Sequence, residues 1–324
     1  MNEQDSLLLR DRLGRGAADR ALRNICGFFA CRTEDLSDFR LLDKGMTNRS
    51  FVFSLAGERY VYRHPGPDPG NPIGRSQEKR SLELARSLGV NPVYLYADGK
   101  EGWMLSRYVA DFREPDYDNF EDTKRILRVL RKLHAAPVRT DCGLRPWADS
   151  LRLEAWIRQE APDAFTPWEG LKEKIRRLAA RTRDDGVEPC FCHGDAYRPN
   201  WMLLKNGETI LIDWEYAGTA DPGIDLGYYI VDAMYGFDEA ERLIREYLGK
   251  SCGEAQLFHF MAYTAIIAYY WFVWALLREV RGIENGGALE RWRTMAIRYA
   301  DHLLPAGQNT SSPPIMICEV HPDD

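Results

Sequence analysis

Between Cys190 and Gly227 the chain carries His193, Gly194 and Asp195, then Asn200 five positions after that aspartate, then Asp213 beyond a short hairpin. A carboxylate to take or orient the proton of an attacking hydroxyl, with an amide oxygen and a second carboxylate to hold magnesium, is the set that phosphoryl transfer requires. Asp195 fills the first role and Asn200 with Asp213 the second, while His193 braces the loop. Any one of these residues alone reads better as a turn former. Their combination with Ile212, Asp213, Trp214, Glu215 and Tyr216, and then with Asp221, Pro222, Asp225, Leu226 and Gly227, points to chemistry instead.

The elements around the cluster must hold it. Residues 201–204 form a short apolar strand, Asn206 and Gly207 a favoured two-residue turn, and 209–212 a returning β-branched strand, so Asn200 and Asp213 fall at one open end of a hairpin. Upstream, 17–31 has helical spacing. Strands are expected at 39–43, at 50–55 and 59–63 around Ala56 and Gly57, and at 92–97 and 102–109 around Asp98 and Gly99. Together they make a five-stranded antiparallel sheet with one inserted helix at 77–87, stopped by Gly89. From residue 118 the pattern turns helical: 123–134, 151–159, 168–181, 238–247, 256–280 and 289–304.

The motif residues, with Pro199 and Asn200 after Asp195, resemble the choline and ethanolamine kinase family, close relatives of the aminoglycoside phosphotransferases. Lys44, Gly45, Met46, Thr47 and Asn48 resemble its nucleotide loop, Tyr60, Val61, Tyr62 and Arg63 its basic strand, Arg75 and Glu78 its first-helix pair, and Leu133 with His134 the end of its first large-lobe helix. The likeness spans about residues 39–302. It implies an α+β, protein-kinase-like fold of two lobes: residues 1–110 a nucleotide-binding lobe, 111–306 a helical catalytic and acceptor lobe, and 307–324 a loose tail. It also implies ATP and Mg2+ as cofactors. Gly45, Thr47 and Asn48 then lie at the phosphates, Arg63 touches the α and β phosphates with Glu78 as its ionic partner, and Met104 and Tyr108 flank the adenine. Arginine stands where protein kinases use lysine, and its guanidinium binds phosphate bidentately. The bland alternative for Arg63 and Glu78 is an ordinary surface pair.

A quaternary ammonium donates no hydrogen bond, so a site for it relies on aromatic faces and a nearby carboxylate. Trp271 and Trp274 lie three apart on one helix and therefore on one face. In choline kinases such a pair walls the acceptor pocket, and Tyr299 is a further wall by the same resemblance. Asp232, seven residues after Asp225, falls where the family commonly has a glutamate, and Glu215 is a second acid on offer. Without the catalytic motifs, Trp271 and Trp274 would read as core packing. With them, the expected reaction is phosphorylation of choline to phosphocholine. Ethanolamine, an aminoglycoside or another small alcohol is an alternative acceptor, and a catalytically silent nucleotide-binding scaffold is the alternative from another class.

Composition narrows the field. A chain of 324 residues exceeds the usual single-core size. A formal net charge of -6, with no compensating basic run, argues against nucleic acid as a partner. Seven scattered cysteines and a polar start without an apolar signal core read as a reduced, cytoplasmic protein. Cys190, Cys192 and His193 suggest a metal site, but the two cysteines alternate around Phe191 on a strand and no second ligand pair follows at a plausible spacing. They read as small buried residues. The stretch 261–277 lacks charge and approaches the length of a membrane span. Its aromatics crowd one end and no basic cluster flanks it, so a buried helix is expected and no membrane insertion. Oligomeric state is open.

Overall fold

The computed structural model describes residues 1, 3–42, 48–66, 74–141, 143–183 and 185–305. Two helices, α1 (Glu3–Leu13) and α2 (Arg15–Phe29), precede strands β1 (Leu36–Leu42), β2 (Arg49–Leu55) and β3 (Glu58–His64); helix α3 (Arg75–Ser87) and strands β4 (Tyr94–Ala97) and β5 (Met104–Arg107) complete the small lobe. The five strands form one antiparallel sheet in the order β1-β2-β3-β5-β4. The hairpin between β2 and β3 closes through Ala56 at φ 52° and Gly57 at φ 82°, the left-handed pair a tight two-residue turn needs. Helix α2 lays Ala18, Ala21 and Ile25 onto Phe39, Phe51, Phe53, Tyr62, Trp103 and Leu105, which make the core of this lobe.

Helix α1 has no counterpart in the expected elements, because three of its four leucines, Leu7, Leu8 and Leu9, are consecutive and mark no single apolar face. It docks through Leu9 and through Asp5, whose carboxylate accepts from the Phe39 backbone N–H at 3.1 Å, where β1 bulges at Asp38.

The large lobe begins with β6 (Phe112–Arg113), α4 (Phe120–His134), α5 (Pro146–Glu160) and α6 (Glu169–Thr182). The short strands β7 (Cys190–Cys192), β8 (Trp201–Leu204), β9 (Thr209–Leu211) and β10 (Gly218–Ala220) follow, then α7 (Gly223–Asp232), α8 (Phe237–Leu248), α9 (Glu254–Val280) and α10 (Ala288–Leu303). Strand β8 pairs with β9 in the expected hairpin and with β6 on its other edge, while β7 pairs with β10. Helix α9 is the one described helix long and apolar enough to cross a membrane, and 83% of its most apolar stretch is buried inside the lobe. It is hydrophobic on every side because α5, α6, α7, α8 and α10 surround it. The expected tail, 307–324, lies outside the described residues.

Candidate active site

Strand β7 delivers the chain into the loop that carries Asp195. Gly194 takes φ 82°, and a Cβ there would stand 2.6 Å from the Tyr216 carbonyl oxygen, so only glycine fits. The buried Asp225 at the start of α7 pins this turn: its carboxylate accepts from the backbone N–H of His193 at 2.9 Å and of Gly194 at 2.7 Å, and from His134 Nε2 at 2.9 Å. Burial alone would raise the Asp225 carboxyl, but the hydrogen bond and charge of His134 hold it below its ordinary value.

His193 spends both ring nitrogens on the backbone. Nε2 donates to the Ile212 carbonyl at 2.9 Å, and Nδ1 accepts from Asp195 N–H at 3.2 Å. Its ring stands edge-on to Trp214, and burial pushes its pKa down to about 4, so the imidazole is neutral. The histidine ties the hairpin end to the loop, as a brace does.

Asn200 Nδ2 donates to Asp195 twice, to the carbonyl at 2.8 Å and to the carboxylate at 3.0 Å. The Tyr228 hydroxyl on α7 also favours the charged form of that carboxylate. Burial first, and then the charges of Asp213 and Glu215, push Asp195 well above the usual carboxylate range. Asp213 sits in the left-handed region at φ 66° and is raised by burial against the pull of Arg63. Glu215 is pushed up to about 8, by burial and then by Asp213. Three acids therefore press on one another across one cleft. That hard-oxygen set, with the Asn200 amide beside it, fits a small divalent cation, which would relieve the repulsion.

From the opposite lobe, β3 brings Arg63 over these acids. Its guanidinium pairs with Glu78 of α3 through Nη2 and reaches Asp213 Oδ1 at 3.2 Å through Nη1, while its buried Nε has no hydrogen-bond partner. Burial lowers the Arg63 pKa, but Glu78, Asp213 and Glu215 together more than offset it and fix the charge. The Arg63 and Glu78 pair is thus no surface pair, since both side chains are about nine-tenths buried. Met104 lies directly across from Arg63 on β5, and Tyr108 continues the strand beyond it with Arg59 over its ring. Asn48 accepts from Gly66 N–H at 3.2 Å, and its side chain favours the charged form of Glu215. Gly45 and Thr47 lie outside the described residues.

On the far side of Asp195 runs a chain of aromatic rings. Tyr197 stacks on Tyr228 at 5.7 Å, Tyr228 on Trp271 at 5.0 Å, and Trp271 meets Trp274 edge-on at 5.5 Å and Trp292 at 5.7 Å. Trp274 is partly exposed and carries the Arg278 guanidinium 4.7 Å from its ring. Asp232 accepts from Arg198 N–H at 2.9 Å and from the Tyr117 hydroxyl, and its charge is felt at Tyr197 and Tyr228.

Two expected acceptor residues are relocated. Tyr299 is fully buried with its hydroxyl donating to the carbonyls of Tyr235 and Gly236, both at 3.1 Å, so it is a core tyrosine with no free face. Glu215 feels Asp213, Arg63 and Asn48 and so lies with the Arg63 and Asp213 group. In return the structure adds Asp225 as the clamp of the catalytic loop and Tyr228 as the link between Asp195 and the aromatic run. Asp225 stands in the sequence motif but only the fold shows what it holds. Tyr228, three residues later on the same helical face, was hidden because α7 itself was not foreseen.

This arrangement, with Arg63 of the small lobe over Asp213 and a clamped Asp195 beside them, suits a two-lobed phosphotransferase. The chain belongs to the phosphotransferase enzyme family, whose model matches residues 38–262. It is 25% identical to protein LicA of Haemophilus influenzae, over 76% of each chain, and 25% identical to a thiamine kinase of Shigella boydii, over 80% of this chain and 86% of that one. The fold matches a crystal structure of choline kinase LicA from Streptococcus pneumoniae with a TM-score of 0.74 at 20% identity, covering 88% of this chain and 99% of the other.

Proposed function

We propose that the chain is an ATP- and Mg2+-dependent cytoplasmic kinase that phosphorylates the hydroxyl of choline. The acceptor oxygen attacks the γ-phosphorus, the bond from that phosphorus to the ADP oxygen breaks, and the acceptor proton passes to Asp195. Arg63 binds the α and β phosphates with Glu78 behind it. Asn200 and Asp213 would hold magnesium, which would neutralise charge at the transferring phosphoryl group and favour the carboxylate form of Asp195. Residues 1–110 serve as the nucleotide lobe and 111–306 as the catalytic lobe. The free thiols of the described cysteines suit a reducing compartment.

The observation that carries the reading is Tyr228. Its hydroxyl acts on the Asp195 carboxylate while its ring stacks on Trp271, so a run of packed rings, buried at Trp271 and Trp292, leads from that carboxylate to the partly exposed Trp274. A permanently cationic nitrogen near a primary hydroxyl suits the open face of Trp274, with Asp232 as countercharge. Thiamine, named in one relative, shares that chemistry. An aminoglycoside would want several acids about its amines.

The test is ADP release with magnesium and ATP over a panel of choline, ethanolamine, thiamine and aminoglycosides. Choline should give the highest kcat/KM. A higher value for thiamine would move the acceptor within the same site, and release with none of the panel despite ATP binding would favour the silent scaffold.

A further inference from the structure

Behind the catalytic loop, on the face of β7 opposite Phe191, Cys190 and Cys192 bring their sulfurs to 3.6 Å from one another. The imidazole of His134, at the end of α4, joins them so that one donor atom from each residue lies within 4.8 Å of the others. The expected partner for the two cysteines is the neighbouring His193, with no second ligand pair following; His134, 56 positions before Cys190 (190 minus 134), is instead brought in by the packing of α4 on β7.

We propose that Cys190, Cys192 and His134 form a binding site for a thiophilic closed-shell cation, Zn2+ in particular. Two thiolates on one tetrahedral zinc, each about 2.3 Å from the ion, stand about 3.8 Å apart, close to the spacing of these sulfurs. Asp225 accepts from His134 Nε2, the support that a metal-bound imidazole ordinarily has, and leaves the lone pair on Nδ1, where the Tyr247 hydroxyl now donates at 2.7 Å. The ion competes with that hydroxyl. Cys190 is partly exposed, on the side from which an ion and a water as fourth ligand would enter.

A direct disulfide suits the site less well. Two residues apart on a strand, the backbone positions are separated by about 6.6 Å, beyond the 5.5–6 Å or so that most disulfides prefer. Strand β7 is held straight by pairing of Cys190 with Ala220 and Cys192 with Gly218. An ion spans the sulfurs without bending it. The site is separate from the magnesium side of the cleft and takes soft rather than hard donors.

The experiment is alkylation of the full-length reduced chain with iodoacetamide, mapped cysteine by cysteine by mass spectrometry, with and without one equivalent of Zn2+. Zinc should slow modification of Cys190 at least about tenfold and leave Cys252 unchanged. Equal rates at Cys190, or protection spread evenly over every cysteine, overturns the proposal. A second measurement follows Cd2+ binding through its thiolate absorption in a chain with Cys26, Cys31, Cys142, Cys252 and Cys318 replaced by serine. One ion per chain is expected, with His134→Gln weakening binding about ten- to a hundredfold, as loss of an imidazole contact does. Binding unaffected by both His134→Gln and Cys190→Ser overturns it.

Discussion

Asp195 reads its neighbours through charge. Burial and the two acids Asp213 and Glu215 raise it, while the Asn200 hydrogen bond and the Tyr228 hydroxyl favour its charged form. A residue so placed changes protonation with whatever neutralises its surroundings, and under the proposed mechanism this would couple the base to the presence of a cation. At the other end of the aromatic run, Trp274 is the ring with an exposed face. Removing it as Trp274→Ala should raise the acceptor KM by about 2- to 30-fold, the equivalent of about 0.5–2 kcal/mol for one cation–π contact, with kcat little changed. Steady-state kinetics check it, and a loss of kcat with KM intact contradicts a binding role. Tyr299 shows the limit of reading residue types alone. Its position in the final helix matched an acceptor wall, yet two carbonyls, those of Tyr235 and Gly236, had already claimed its hydroxyl.

At the scale of elements, the catalytic loop is a turn between β7 and a one-turn helix, and it depends on backbone geometry that one residue type permits. Gly194→Ala places a Cβ against the Tyr216 carbonyl and forces an L side chain into φ 82°. It should cost about 1–3 kcal/mol of strain and lower kcat with little change in ATP affinity. Chemical denaturation with nucleotide-binding titration measures both, and wild-type stability and turnover in this variant would contradict the account of the loop. The hairpin of β8 and β9 and the small-lobe sheet were legible because turn pairs such as Asn206 with Gly207 and Ala56 with Gly57 interrupt apolar alternation. Helix α7 was not. Its 10 residues are buried on nearly every side, which erases the periodic pattern that marks an amphipathic helix. Helix α1 failed for the opposite reason, having little apolar face to announce it.

Across the whole molecule, α9 organises the large lobe and ties its far end to the site. His259 on α9 is fully buried and bridges Asp185 at 2.6 Å and Asp221 at 2.9 Å, with Tyr263 beside its ring. Burial lowers its pKa, but the hydrogen bonds and charges of Asp221 and Asp185 outweigh this and raise it above the ordinary histidine value. A group raised on folding stabilises the native state below its unfolded pKa, about 6.5, and loses that contribution as pH climbs through the folded value. His193, pushed down to about 4, works in the opposite sense and costs stability as pH falls from about 6.5 towards 4. Replacing His259 by glutamine should therefore destabilise the protein more at pH 6.5 than at pH 9. Urea titrations at the two pH values measure the difference, and an equal loss at both would show that His259 is not charged in the fold.

The bridge between the lobes is what turns two folded halves into one catalyst. Arg63 from the small lobe meets Asp213 from the large one, Gln77 on α3 donates to the Ala217 carbonyl at 3.1 Å, and Asp195 lies under the phosphates these groups would hold. The most direct test is transfer of radiolabelled γ-phosphate from ATP to choline by the intact chain and by Asp195→Asn, at equal nucleotide saturation with magnesium. Labelled phosphocholine should form with the intact chain and fall by about 10²- to 10⁴-fold in the variant, while ATP binding persists. Equal transfer by the two proteins would contradict Asp195 as the group that receives the acceptor proton.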